Sequence, residues 1–163
     1  MFTKMCALVA LMLFLHHITN AQIHDKGYAP GRYPIDSIEF EKICDPKVAP
    51  DFYSVSAKNN KSSYQILHEW LSIFKKPTTF EQSGFLTVRF IVNCRSEPIC
   101  FNIYEMDETY QKTPFDADVK KQLITFIEKL GGWKQVEYEG KPSNYFYYLH
   151  FNIKKGNFIN VSP

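Results

Sequence analysis

Tyr145-Phe146-Tyr147-Tyr148 sets four aromatic rings in consecutive positions, and Leu149-His150-Phe151-Asn152 continues the run. On an extended strand successive side chains go to opposite faces. Phe146, Tyr148, His150 and Asn152 then share one face, while Tyr147 goes with Leu149 to the other. The first row suits contact better than catalysis, because it joins aromatic anchors to hydrogen-bonding groups. One use is capture of an extended peptide by addition of a strand. A strand packed under layers on both sides would carry the same pattern, and periodicity does not separate the two readings.

The remaining chemistry-bearing groups point away from an enzyme. His68-Glu69 resembles half of a zinc-peptidase motif, but the second histidine would fall at position 72, which is Ser72. His24, His68 and His150 are scattered, so no metal site is expected. Glu105-Met106-Asp107-Glu108 gathers three carboxylates without the spacing or glycine of a calcium loop, and reads as a solvated loop. No GxSxG, phosphate-binding loop or GxGxxG occurs. A small secreted hydrolase using His68-Glu69 or His150 would lack a nucleophile with an ordered partner. The expectation is therefore a non-enzymatic protein without a cofactor.

Elements to position the aromatic row are legible over 62–163. Ser62-Ser63 offers a helix N-cap; Tyr64, Leu67, Leu71 and Phe74 recur at helical spacing, and Pro77 stops the run. From Gly84 the period becomes two: Leu86, Val88, Phe90 and Val92 share one face, and Phe85, Thr87, Arg89 and Ile91 the other. A turn at Arg95 to Pro98 leads to a second strand, Ile99 to Met106, with Ile99, Phe101 and Ile103 on one face. Thr113-Pro114-Phe115-Asp116 reads as a helix start with Thr113 as cap. Val119, Leu123, Phe126, Ile127 and Leu130 form its apolar stripe, and Gly131-Gly132 ends it. The strand Tyr145 to Ile153 follows, then a short one, Phe158 to Val161, placed to leave or to cover that strand's edge. The prediction is a two-layer α+β domain with an antiparallel sheet in strand-strand-helix-strand order, preceded by one helix.

Upstream, residues 22–61 hold Gly27, Pro30, Gly31, Pro34, Pro46 and Pro50, too closely spaced for long regular elements. Ile38, Phe40, Ile43 and Phe52 are expected to tack this loop-rich segment onto the domain. Residues 1–21 read as a signal peptide: Lys4, an unbroken apolar run from Cys6 to Leu15, then Thr19-Asn20-Ala21, with cleavage expected after Ala21. The apolar run falls well short of the roughly 20 residues a membrane-spanning helix needs. After cleavage no membrane span is expected, and the protein is placed outside the cytoplasm.

Export also bears on the cysteines. Cys44, Cys94 and Cys100 remain after cleavage, and an oxidising compartment favours one disulfide among them. Cys94 continues the row of Leu86, Val88, Phe90 and Val92, whereas simple alternation turns Cys100 the other way. Parity therefore disfavours Cys94–Cys100, although a register shift near Pro98 would restore it. Cys44 lies in the irregular segment, and Cys44–Cys94 is the preferred pairing. The whole chain has 163 residues, is 45% hydrophobic and 16% aromatic, and carries a formal charge of only +2. Such a composition supports a folded core and excludes broad electrostatic capture of nucleic acid.

One resemblance adds to this. The string Gly84-Phe85-Leu86-Thr87-Val88-Arg89-Phe90-Ile91-Val92-Asn93-Cys94 is followed by a second strand. Phe115 and Asp116 open a helix, Trp133 comes just after it, and Tyr147-Tyr148-Leu149-His150-Phe151-Asn152-Ile153 with Lys155-Gly156 closes the series. Over residues 83–163 this resembles the TonB C-terminal domain family, in the version found in small exported proteins of Gram-negative bacteria. The resemblance implies a periplasmic ββαβ module of the cell envelope that binds protein or extended peptide segments, such as those of outer-membrane transporters. Its interaction surface here would be Phe146, Tyr148, His150 and Asn152. The leader reads as cleavable rather than as an anchor, and the residues after it hold no Pro-rich spacer, so a role in transmitting energy for transport is not implied. A purely structural accessory of an envelope complex is the alternative.

Overall fold

Strand β1 (Gly84–Val92) is the axis of the molecule. The computed structural model describes residues 42–44 and 49–163. The expected signal peptide (1–21) and most of the segment expected to be loop-rich, including Ile38 and Phe40, lie outside the described residues. Along β1, Leu86, Val88, Phe90 and Val92 are fully buried on one face, as strict alternation of apolar residues demands. β1 pairs antiparallel with β2 (Pro98–Met106) on one side and with β5 (Tyr145–Lys154) on the other. β6 (Asn157–Ser162) adds beyond β5, giving the order β2-β1-β5-β6. A small hairpin, β3 (Val136–Tyr138) with β4 (Lys141–Ser143), forms a separate two-stranded sheet.

Among the described residues two helices cover the core face, making an α+β architecture with a small antiparallel sheet. Helix α1 (Ser63–Ile73) packs along β6, and α2 (Ala117–Lys129) lies toward β2. Ser62 caps α1 reciprocally with Gln65, closing both ends of a capping box. The buried positions of α1 are Ile66 and Trp70, whereas Tyr64 and Leu71 of the expected stripe are exposed. Tertiary packing chose the neighbouring stripe because it carries Trp70, whose ring meets Phe74, Phe126 and Phe158 at centroid distances of 4.8, 5.4 and 5.1 Å.

The second helix starts three residues later than the Thr113-Pro114 pattern suggested. Its N-cap is Asp116, whose carboxylate accepts from the Asp118 and Val119 amides. Phe115, just before the cap, is buried in the core, and its amide donates to Glu105. The stripe Val119, Leu123, Phe126, Ile127 and Leu130 is buried as its spacing requires.

Both edge strands are interrupted. In β2 the pairing steps from Arg89↔Asn102 to Ile91↔Ile99, so Cys100 is the inserted residue, with φ of 56°. This bulge corrects the expected parity: Ile99 lies on the face away from the helices, while Phe101 and Ile103 pack against the core. In β6 the pairing steps from Asn152↔Asn160 to Ile153↔Phe158, leaving Ile159 over. The two inner strands pair without a break over their whole length.

The face opposite the helices has its own small cluster: Ile43, Ala49, Ile91, Ile99, Cys100 and Phe146. A disulfide joins Cys44 to Cys94 with Cα atoms 6.0 Å apart, tethering the residues beside Ile43 to the end of β1. The buried Asn93 side chain completes this corner, donating to the Lys42 carbonyl and accepting from the Arg95 and Glu97 amides. Phe52 lies on the other side of the sheet's end, against Tyr147 at 4.7 Å.

Candidate functional site

Register assigns the outer face row by row. Because Ile91, Arg89, Thr87 and Phe85 of β1 lie opposite Phe146, Tyr148, His150 and Asn152 of β5, all eight side chains share it. From β2 the residues opposite them are Ile99, Asn102, Tyr104 and Met106. From β6, Ser162 and Asn160 extend the His150 and Asn152 rows. The Phe146 end is closed, since Phe146 is 8% exposed within the Ile43–Cys100 cluster. Burial gives Phe146 a packing role at the site. Tyr148 is 36% exposed, and His150 and Asn152 are half-buried.

The open end presents aromatic rings between polar groups. Tyr104, Met106 and Tyr110 are all exposed. Phe85 is sandwiched between Tyr110 and His150, with centroids 5.3 and 5.2 Å away and nearly parallel planes. The three rings thus stand as a stack on the sheet, with Tyr110 as its outer leaf. His150 Nδ1 and Thr87 Oγ1 are 2.8 Å apart, a hydrogen bond that fixes the imidazole orientation. Partial burial lowers the His150 pKa, because the charged form would lose hydration.

Midway along the face Arg89 organises the boundary. Its guanidinium lies 4.8 Å from the Phe146 ring centroid, and one nitrogen donates to Asp51 at 3.3 Å. The other Asp51 oxygen accepts from the Tyr53 hydroxyl at 2.9 Å, which together with the carboxylate charge raises the Tyr53 pKa. Arginine, carboxylate and phenol are thereby committed to one another.

The edge of β5 is not available to a peptide. β6 pairs with its residues 150–154. At the other end the Phe146 amide donates to the Pro50 carbonyl, and the Phe52 amide donates to the Phe146 carbonyl. The strand is thus covered by β6 and by residues 50–52.

The other groups singled out in the sequence have structural duties. Glu105 accepts from Lys120 at 3.0 Å and from the Phe115 amide, bracing α2 against β2, so it is more than a solvated carboxylate. Asp107 accepts from Thr109, Gln111 and Thr113, and these bonds lower its pKa while holding the turn. Glu69 pairs with Lys61 at 2.6 Å, and His68 lies apart from His150 on α1. Among the described residues no group of three or more His, Cys, Asp or Glu is placed to hold a metal ion. Among those residues, too, no helix is long and apolar enough to cross a membrane.

Sequence parity found Tyr148, His150 and Asn152. It did not bring in Tyr104, which alternation from Ile103 puts on this face but which only the pairing of β2 with β1 sets beside the row, or Tyr110, which comes from a loop without periodicity. Comparison with known proteins found no matching family model, no matching curated protein and no matching solved structure.

Proposed function

We propose that this chain is an exported, non-enzymatic module that binds a protein or an extended peptide segment in the cell envelope. The reading extends the resemblance to the TonB C-terminal domain, and the periplasmic location and outer-membrane partner class come from it. The observation that carries the proposal is the helix-free face of the sheet. There Tyr104, Tyr110, Tyr148 and Met106 stay exposed beside Asn102, Asn152 and His150, while most large side chains elsewhere in the sheet are buried. Rigid aromatics with polar neighbours are the usual anchors of protein recognition.

The covered edge of β5 changes how such a partner is held. Contact falls on the face through Tyr148, His150 and Asn152, joined by Tyr104 and Tyr110, and Phe146 supports it from beneath. The test is capture from an envelope extract with the mature chain as bait, beside a Tyr104→Ser/Tyr148→Ser variant. Both substitutions are on the surface, so circular dichroism and the urea midpoint should be unchanged. A partner retained by the parent chain should fall by about tenfold or more, the loss of two aromatic anchors. Equal capture by both proteins refutes this face as the binding surface.

A further inference from the structure

Between the two helices runs an apolar groove of about 680 Å³, walled by Trp70, Phe126 and Leu130. Ile73, at the end of α1, also lines it and stays 55% exposed. On the α2 side Lys121, Thr125 and Lys129 follow one another at four-residue spacing, so two ammonium groups and a hydroxyl belong to one wall. Lys75 lines the groove just beyond α1, and its backbone is pinned to α2. The Gln122 side chain accepts from the Lys75 N–H at 2.9 Å and donates to the Lys75 carbonyl at 3.0 Å. Among the described residues none of the three lysines forms a salt bridge. The one carboxylate lining the groove among those residues, Glu69, is neutralised by Lys61 at 2.6 Å. The groove is therefore apolar within and cationic at its rim.

The wall also holds an unsatisfied donor. The Trp70 side chain is fully buried, and its indole N–H is one of two buried side-chain donors that meet no acceptor among the described residues. Such a group carries an uncompensated desolvation cost, and an acceptor bound beside Trp70 relieves it. We propose that the groove binds a single-chain anionic amphiphile of the fatty-acid class, its carboxylate among Lys75, Lys121 and Lys129 and its chain along Ile73 and Phe126. Charge selects the head group, because the rim offers three free cations and no free anion. Size selects a single chain. A partner helix about 10 Å across and as long as α2, whose 13 residues span about 20 Å, fills about 1,600 Å³, more than twice the groove. A small apolar ligand with one polar end matches a cleft of 680 Å³. This site is separate from the outer face, which lies across the sheet.

Fluorescence quenching tests the assignment. Bromine quenches an indole close to it, so Trp70 reports on the groove, whereas Trp133 packs elsewhere, against Phe90 and Tyr147. The mature chain is titrated with dodecanoate brominated along its chain, below the concentration at which micelles form. Quenching should saturate and be reversed by plain dodecanoate. Dodecanol and dodecyltrimethylammonium should compete about tenfold less well or worse, lacking the attraction to the lysines. Octanoate, with four fewer methylenes to bury, should also compete about tenfold less well or worse. A Lys121→Glu/Lys129→Glu variant changes only exposed side chains, so its circular dichroism and urea midpoint should match the parent. Its affinity for the brominated probe should fall about tenfold, as two attractions become repulsions. Sedimentation with vesicles of anionic phospholipid separates a free amphiphile from a bilayer, and the chain should stay in the supernatant. Absence of saturable quenching, equal competition by the three head groups or by octanoate, or an unchanged affinity in the variant would overturn the proposal. So would sedimentation with the vesicles in place of binding to the free probe.

Discussion

Removing the Cys44–Cys94 bridge, by Cys44→Ser with Cys94→Ser, should cost the fold about 4 kcal/mol. The figure follows from the loop it closes: the cysteines are 50 residues apart in sequence, and in the chain-entropy account a loop of that length removes about 4 kcal/mol of freedom from the unfolded chain. It is an upper value, because residues 50–52 keep their backbone bonds to Phe146 when the bridge is gone. With a urea slope of about 2 kcal/mol/M the midpoint should fall by about 2 M. A second readout is local. Cys100 is 4% exposed and remains a thiol, packed in the same cluster as Ile43. Without the tether Ile43 leaves that cluster more often, so alkylation of Cys100 under native conditions should quicken. A midpoint change below about 0.5 M, under a quarter of that expected, would refute the reasoning. So would alkylation of Cys100 at the parent rate, because the bridge would then not be what holds the cover on the outer face.

Gly84 sits at φ 139° with the Met106 carbonyl and Asp107 backbone where a Cβ would go. Gly84→Ala should destabilise by about 2–4 kcal/mol, while Gly131→Ala, with open space around it, should stay within about 0.5 kcal/mol in the same urea titration. His150 has a folded pKa below its unfolded value near 6.5. The unfolded chain therefore binds more protons as pH falls through that value, and stability present above about pH 6.5 should be lost on acidification. His150→Gln should flatten the change in urea midpoint between pH 7.5 and 5.5 relative to the parent; equal slopes would refute the burial argument. The envelope-fraction protein should begin at Gln22 by N-terminal determination, and a start at Met1 would overturn the export reading.

Where a single local force decided the structure, the sequence was legible. The faces of β1 follow from uninterrupted alternation, and the α2 stripe from five apolar residues at helical spacing. Where two local solutions competed, long-range packing chose. In α1 both Tyr64-Leu67-Leu71-Phe74 and Ile66-Trp70 are apolar rows, and only the aromatic neighbours Phe126 and Phe158 favour the second. At the start of α2, Pro114 mimics a first-turn residue, but Phe115 is drawn into the core and the cap shifts to Asp116. The bulge at Cys100 has no glycine to announce it, so alternation put Ile99 on the wrong face while phasing Phe101 and Ile103 correctly. The candidate face was half legible because its other rings come from β2 and a loop, which only long-range pairing brings beside β5. Parity within β5 is local, but the inner position of that strand depends on pairing with β6 and residues 50–52.

The bulges at Cys100 and Ile159 bear on self-association. An exposed edge invites a second chain to continue the sheet, and a regular flat strand is the best template for it. Here the regular strands, β1 and β5, are both interior, and each exposed edge is broken by an extra residue that twists the strand and interrupts its row of amides. The β2 edge is shortened further where Lys112 bridges to Met106. A foreign strand meeting either edge finds only a few residues in step before the register fails. The sheet is finite by construction: a chain rich in aromatic strands can be concentrated without polymerising through its edges, while its open face stays available for other contacts.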